Sequence, residues 1–580
     1  MLNVTDSMKN KILAARKEIP ADLVLRGGMV VNLFIDEIQK KDVAIFDGTI
    51  VGIGSGYFGK DEIDLDGRYV IPGLIDGHFH IESTMLIPHH LAPALLVHGT
   101  TTIVADPHEI ANVMGIYGIQ FMLKDSRSLP FDIFFMAPSC VPATTLETSG
   151  ATLNSEDLMV LKDEPRILGL AEMMNYPGVL AADTHVLEKI SLFEKKIVDG
   201  HCPGLTGPEL QAYITAGIRS DHETVEQEEG LEKIEKGMML MIREGTSAKN
   251  LEKLLPLVNY KTAGRVCIVS DDLHPEDIAE RGHLDFILKK VVGMGVDPIT
   301  AVRMVTLNTA TYFGLKDRGA IAPGYRADLV VMDNLENFKV GPVFKNGKMV
   351  VRPGDSTADI PKTDMELNCI GRGQPLNIAP MDLDSFRIKH PGGKARVIEL
   401  VPGQITTTLD YKEIKAVDGY VKSDIESDIL KLCVVERHNG SGRIGLGLVR
   451  GFGLNQGAIA SSVAHDSHNV IVVGVSDEDI FMAVDAVRAM GGGLAAVCNG
   501  ITLEKVPLEI AGLMSSKPLE SLVDELGSLK RAVISLGSHL PEPFMTLSFL
   551  ALPVIGEARL TDMGLVDVNQ FEIVPLFIES

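Results

Sequence analysis

The sequence predicts an α/β protein built on a (β/α)8 barrel, with a small β-domain beside it and a further α/β domain at the C-terminal end. Eight short apolar runs alternate with helix-like stretches between residues 71 and 315. Strand-and-turn patterns flank that body on both sides. Roughly two hundred residues of mixed pattern then follow a polar linker. The doubly wound sheet is the main rival, because it also alternates strands with helices. A chain of 580 residues is too long for one core and fits two or three domains.

The flanking β signals come first. Ala21–Gly28 and Asp42–Gly54 alternate apolar with small or polar residues between Gly and Asp-Gly turns, and the pattern returns at Gly324–Asp333 and Val343–Val351. Residues 1–70 and 316–360 are therefore expected to pair around the inserted body 71–315. Within that body the expected strands are Tyr69–Ile75, Thr100–Ala105, Phe131–Ala137, Arg166–Ala171, Lys196–Asp199, Gly217–Ser220, Met238–Arg243 and Arg265–Ser270. Thr224–Lys236 and Ser247–Val258 read as helices. A polar linker, Asp355–Asp364, leads to a separate domain over 375–580. There, strand signals at Val397–Leu400 and Val470–Val475 alternate with a helix at Asp477–Met490.

Composition narrows the function. At 45% hydrophobic and 23% charged the chain is ordinary for a soluble globular protein. A net charge of −24 argues against nucleic acid or an anionic membrane as partner and favours a small neutral or cationic substrate. The N-terminus lacks a signal-peptide pattern, and no apolar run is long enough to span a bilayer. Six scattered cysteines make no disulfide framework, so the cytoplasm is the expected location.

Chemistry gathers at the expected strand ends. The first run closes on His78-Phe-His80, and residues two apart on a strand point the same way, so both imidazoles can reach one ion. Taken alone, His-x-His would equally suit two loop histidines. Four other runs, however, end in Glu172, in His201, in His222 and in Asp271-Asp272, where a barrel directs side chains into its site. Four histidines and two carboxylates suffice for two divalent cations, with Glu172 able to bridge them, and this donor set suits Mn, Fe or Zn better than Cu. Two ions sharing a water lower its pKa. Asp271 could both bind a metal and carry the water's proton to a leaving group. The expected class is metal-assisted hydrolysis.

Pro72–His80 resembles the first-strand motif of the amidohydrolase superfamily, which pairs a (β/α)8 barrel with a composite β-sandwich. Within it, His78–Thr84, Ala105–Asn112, Ala171–Asn175 and Ser461–Asn469 resemble the adenine deaminase family over nearly the whole chain. The resemblance implies hydrolysis of adenine to hypoxanthine and ammonia in purine salvage, with two divalent ions, Mn2+ or Fe2+ ahead of Zn2+. It places His78 and His80 on one metal, His201 and His222 on the other, Glu172 as the bridge, and Asp271 as ligand and proton shuttle. An activated hydroxide would then attack C6. A homo-oligomer, with a dimer favoured, is the expected assembly.

The rival readings are weaker. Dihydroorotase-like and hydantoinase-like relatives usually carry lysine where Glu172 stands, and a scaffold that has lost catalysis would not need all six ligand positions. The zinc deaminases of the cytidine type require His-x-Glu followed by Pro-Cys-x-x-Cys, and no such cysteine pair occurs.

Several residues stand as candidate substrate contacts: Glu82, Asp106, His108, Glu109, Asp272 and the loop residues His465, Asp466 and His468. Each has a plain alternative. Glu82 could form a loop salt bridge, Asp272 could cap the next helix, and the His465–Asn469 segment could be a capped turn. Arg243 reads more readily as a structural ion pair than as a substrate contact. Gly491–Gly493 lacks the remainder of a phosphate loop and reads as a helix terminus.

Overall fold

The computed structural model describes residues 4–358, 360–361, 376–402 and 404–578; residues 359 and 362–364 of the expected linker, and residue 375, lie outside them. A helix at Val4–Ala15 precedes the first strand. Only Ala14 of this helix is buried, so no apolar stripe announces it in the sequence. The strands that follow are β1 (Ala21–Asn32), β2 (Glu37–Phe46), β3 (Thr49–Ile53), β4 (Gly59–Asp64) and β5 (Tyr69–Pro72). Next come β6 (Leu74–Phe79), β7 (Thr100–Ala105), β8 (Asp132–Ala137), β9 (Ile167–Met173), β10 (Ile197–Gly200), β11 (Ser220–Asp221), β12 (Met239–Arg243) and β13 (Val266–Val269). After them run β14 (Leu329–Met332), β15 (Val340–Lys345) and β16 (Lys348–Val351).

One sheet takes strands from both flanks, in the order β16-β15-β14-β5-β1-β2-β3, with β4 beside β1. Two hairpin turns fix its register. Asp47-Gly48 joins β2 to β3 and Asn346-Gly347 joins β15 to β16, each with positive φ at both residues, as a tight right-twisted hairpin requires. The turns also lie together, since Ala327 N donates to Gly48 O at 2.9 Å and Gly347 N donates to Ala327 O at 2.9 Å.

The expected strand Tyr69–Ile75 is two strands. Tyr69–Pro72 pairs with β1 and β14, whereas Leu74–Phe79 pairs with β7. Gly73 makes the crossing, and a Cβ there would lie 2.2 Å from the Thr101 hydroxyl. His78 therefore sits within a strand rather than just beyond one.

The eight strands β6–β13 are all parallel and form a five-stranded block, β10-β9-β8-β7-β6, and a three-stranded block, β11-β12-β13. The blocks meet at both edges. Asp271 N donates to His78 O at 3.0 Å on one side, and Arg219 N donates to Val198 O at 3.1 Å on the other. Ile75, Val104, Met136, Ala171, Met239, Met241, Cys267 and Val269 share one buried cluster. Alternate residues of several strands thus point to a common interior.

In the C-terminal part the strands are β17 (Lys394–Leu400), β18 (Thr407–Glu413), β19 (Ala416–Val417), β20 (Tyr420–Val421), β21 (Ile429–Val435), β22 (Ile444–Arg450), β23 (Ala458–Ser461), β24 (Val470–Gly474), β25 (Gly493–Cys498) and β26 (Ile501–Pro507). Eight of them form a mostly antiparallel sheet in the order β18-β17-β22-β21-β24-β23-β25-β26. Val470 and Val472 face the helix Asp477–Ala489, while Ile471 and Val473 join the core that also holds Phe79, Ile81 and Leu86. Burial on both faces explains why β24 is an unbroken apolar run. Among the described residues no helix is long and apolar enough to cross a membrane.

Candidate metal centre

A buried network fixes the strand ends before any ligand is considered. Asp76, in the middle of β6, accepts from the His78 backbone N–H at 3.2 Å, from the Ser270 hydroxyl at 2.7 Å, and faces His283 Nε2 at 3.0 Å. It ties β6 to the residue before Asp271. On the opposite side Asp221 accepts from the Cys202 N–H at 2.8 Å and from the Thr224 N–H at 2.9 Å, with the Lys233 ammonium 3.0 Å away. These contacts hold the loops that carry His201 and His222.

The six expected ligands converge. His80 Nδ1 lies 3.2 Å from the Asp106 carbonyl, which can only accept; the proton is therefore on Nδ1 and Nε2 keeps its lone pair for a metal. That Nε2 is 3.1 Å from Asp271 Oδ1 and 3.5 Å from Glu172 Oε1. His78 Nε2 lies 3.6 Å from Asp271 Oδ1 and 3.8 Å from Glu172 Oε1, buried and without a hydrogen-bond partner. Glu172 Oε2 turns the other way, 2.7 Å from His201 Nδ1 and 3.2 Å from His222 Nε2.

This donor set fits divalent cations. His78, His80 and Glu172 form one group with mutually close donor atoms, Glu172, His201 and His222 form another, and His78, His222 and Asp271 a third. Imidazoles and carboxylates at such spacing are the ligands of Zn, Mn and Fe sites. The orphaned His78 Nε2 is what a ligand atom looks like when only protein is counted.

Electrostatics keep the carboxylates ionised. Burial alone would raise both, but His222 and His201 hold Glu172 well below the usual carboxylate range. Burial is likewise outweighed at Asp271, where Arg243 and the facing imidazoles of His78 and His80 lower the carboxyl. Arg243 Nη1 is 2.8 Å from Asp271 Oδ2 and pairs also with both oxygens of Glu223. It is thus an ion-pair residue holding Asp271. Asp271 itself has φ +63°, a left-handed conformation that non-glycine residues seldom adopt and that turns its carboxylate toward the histidines.

The candidate substrate contacts border this cage. Asp106 Oδ2 lies 3.2 Å from His108 Nδ1, and His108 Nδ1 is 3.7 Å from Glu172 Oε1. Glu82 Oε1 accepts from the Ile110 N–H at 2.9 Å, while its Oε2 is buried without a partner. Asp272 accepts from the Ser83 hydroxyl at 2.5 Å. It does not cap the next helix, Pro275–Arg281, whose N-cap is His274. From the C-terminal sheet, His465 Nδ1 reaches Glu109 Oε1 at 2.9 Å and His468 Nε2 comes within 3.5 Å of Glu109 Oε2. Asp466 follows with Oδ2 buried and unpartnered.

Comparison with known proteins identifies the family of the chain. An amidohydrolase family model matches residues 69–350, and a model of the adenine deaminase C-terminal domain matches residues 404–572. An adenine deaminase of Desulfatibacillum aliphaticivorans is 50% identical over 571 residues, covering 98% of this chain and 99% of that protein. The chain belongs to the adenine deaminase family. An adenine deaminase 2 of Carboxydothermus hydrogenoformans is 48% identical, and an adenine deaminase of Dehalococcoides mccartyi is 47% identical, each covering 98% of this chain and 99% of its own length.

In this member of the adenine deaminase family, two carboxylates near these groups escaped sequence reading. Glu223 stands 3.7 Å from both His201 Nδ1 and His222 Nε2, and its place directly after His222 was the available signal. Glu147 is buried with both carboxylate oxygens unpartnered, and burial pushes it well above the ordinary range. It lies in an irregular loop that gives no periodic signal. Gly491 and Gly492 lie in the turn between the helix Asp477–Ala489 and β25, whose first residue is Gly493.

Proposed function

We propose that the chain hydrolyses adenine to hypoxanthine and ammonia, in purine salvage, at a centre of two divalent ions. The observation that carries this is the divided carboxylate of Glu172, one oxygen toward His78 and His80 and the other toward His201 and His222. On this reading His78, His80 and Asp271 hold one ion, His201 and His222 the second, and Glu172 both. Mn2+ is favoured, then Fe2+, with Zn2+ behind them. Divalent ions in this cage supply Lewis acidity that acidifies a water molecule near neutral pH.

The protein's own groups do the rest. Asp271 is the proton carrier, because Arg243 keeps it ionised and a left-handed backbone turns it inward. It takes one proton from the attacking water as the C6–O bond forms, then passes it to the amino nitrogen as the C6–N bond breaks and ammonia leaves. The water's second proton remains with the hydroxylated ring, giving hypoxanthine. Glu82, Asp106, His108, Glu109, Asp272, His465, Asp466 and His468 line the approach and bind the purine.

In the same reading, the two parallel blocks close into a (β/α)8 barrel over 71–315, supported by the backbone hydrogen bonds at both seams. Residues 1–70 and 316–360 form the composite β-sandwich and 375–580 the C-terminal domain. The protein acts in the cytoplasm as a homodimer on a small substrate. Metal-reconstituted protein incubated with adenine, adenosine, cytosine and dihydroorotate should release ammonia from adenine alone. No release from adenine by the Mn-loaded protein would sink the proposal.

A further inference from the structure

The loop between β23 and β24 leaves the C-terminal sheet and enters the mouth beside the end of β7. There it places two histidines on Glu109. His468 Nδ1 accepts the Ala464 backbone N–H at 3.1 Å, so its proton sits on Nε2, the nitrogen that faces Glu109. Its Nε2–H is thus turned toward the Glu109 carboxylate.

His465 is held differently. Its Nδ1 is 2.9 Å from Glu109 Oε1, its ring stacks on Phe549 with centroids 4.7 Å apart and planes 15° apart, and its backbone N–H donates to the Ser548 hydroxyl at 3.3 Å. Ring position and orientation are therefore both fixed, and Nε2 is the only polar edge left to meet a ligand. Glu109, with Asp466 and Asp272 nearby, raises the imidazole well above its ordinary range against the opposing effect of burial, which keeps a proton on both nitrogens.

His465 also lines a small cavity at the seam between the parallel strands and the C-terminal sheet, together with Glu82, Ser83, His274, Phe544 and Ser548. The cavity borders the metal cage, since Ser83 donates to Asp272 at 2.5 Å and Asp272 follows Asp271. Glu82 stands two residues beyond His80.

We propose that His465, oriented by Glu109, donates from Nε2–H to an acceptor nitrogen of the purine ring, so that the substrate pocket is completed by the C-terminal sheet. This deepens the adenine reading and rests on it. The ligand class is a fused nitrogen heteroaromatic with unsubstituted sp2 ring nitrogens. Glu109 acts as a positioning residue, in the way a carboxylate fixes the ring of a catalytic or metal-bound histidine.

The test uses Mn-loaded full-length wild type, His465→Ala, His465→Gln and Glu109→Gln. Each is assayed for kcat and KM with adenine, and for inhibition by 1-, 3- and 7-deazaadenine. Wild type should bind one deaza analogue about tenfold more weakly than the other two, because that analogue lacks the contacted nitrogen. His465→Ala should raise KM for adenine about tenfold or more and bind all three analogues alike, with two metals per chain retained. Glu109→Gln should move KM in the same direction by a smaller factor.

A KM within twofold of wild type in His465→Ala, or equal inhibition of wild type by all three analogues, would overturn the proposal. The analogue series on wild type decides the matter even if the alanine variant fails to fold. Failure of wild type to deaminate adenine would overturn the parent reading instead, so the two failures are distinguishable.

Discussion

The ammonium of Lys233 lies 3.0 Å from the carboxylate of Asp221, both side chains fully buried, one residue before His222. Lys233 also donates to the Cys202 carbonyl at 2.8 Å, one residue after His201. One buried cation thus ties together the two loops that carry the second pair of histidines. Its charge is compensated by Asp221 and by Glu229, so the cluster is tolerable in a low-dielectric interior.

Replacing Lys233 with Met should therefore unfold the site before it touches the chemistry. Removing one partner of a buried ion pair costs about 3–5 kcal/mol, because the other charge is left uncompensated. Urea unfolding should show a lowered midpoint, and metal analysis should show less than two equivalents per chain. Unchanged stability would mean that Asp221 is neutralised by other means.

Asp271→Asn should abolish turnover while metal is largely retained. The amide keeps the shape and a ligating oxygen but cannot carry a proton, and a general acid–base group contributes roughly 10²–10⁴-fold. Steady-state ammonia release beside metal content is the measurement. Near-normal activity would reject the proton-carrier role.

Glu172→Ala should lose both metal and activity, since the one carboxylate faces both histidine groups. Metal analysis after dialysis distinguishes this from Asp271→Asn. A variant that keeps two tightly held ions would show that Glu172 does not bridge.

Acid stability should depend on Asp132, at the start of β8. Burial would raise its carboxyl, but Lys345 at 2.6 Å and Arg318 lower it to about 2. The folded value lies below the unfolded one, so the stabilisation is complete above about pH 4 and disappears as pH falls toward about 2. At neutral pH it amounts to about 2 kcal/mol. Asp132→Asn should lose that increment at pH 7 and show a flatter stability profile between pH 4 and 2. Parallel profiles for the two proteins would contradict the assignment.

The strand ends were the most legible part of the molecule. Thr100–Ala105 forms a strand with the bounds the apolar run indicates, and the runs before Glu172, His201 and Asp271 each place their polar residue at or just past the end. Legibility failed where local pattern and tertiary context part company. The apolar run from Tyr69 to Ile75 gives no sign that Gly73 carries the chain from one sheet to another. The sixth strand is Ser220–Asp221 and not Gly217–Ser220, because pairing with Met239 and Leu240 selects its residues and hydrophobicity does not.

By itself the sequence determined which residue types stand at the ends of the apolar runs, and with them the chemistry available. Strand periodicity is local, so two histidines spaced by one residue declare a shared direction without any knowledge of the fold. Only the tertiary structure decided which carboxylate oxygen faces which histidines, that Arg243 serves Asp271, and that Glu109 meets His465 from the far end of the chain. Those relationships depend on sheets brought together by burial of apolar faces, a non-directional force that leaves no spacing rule between the residues it unites.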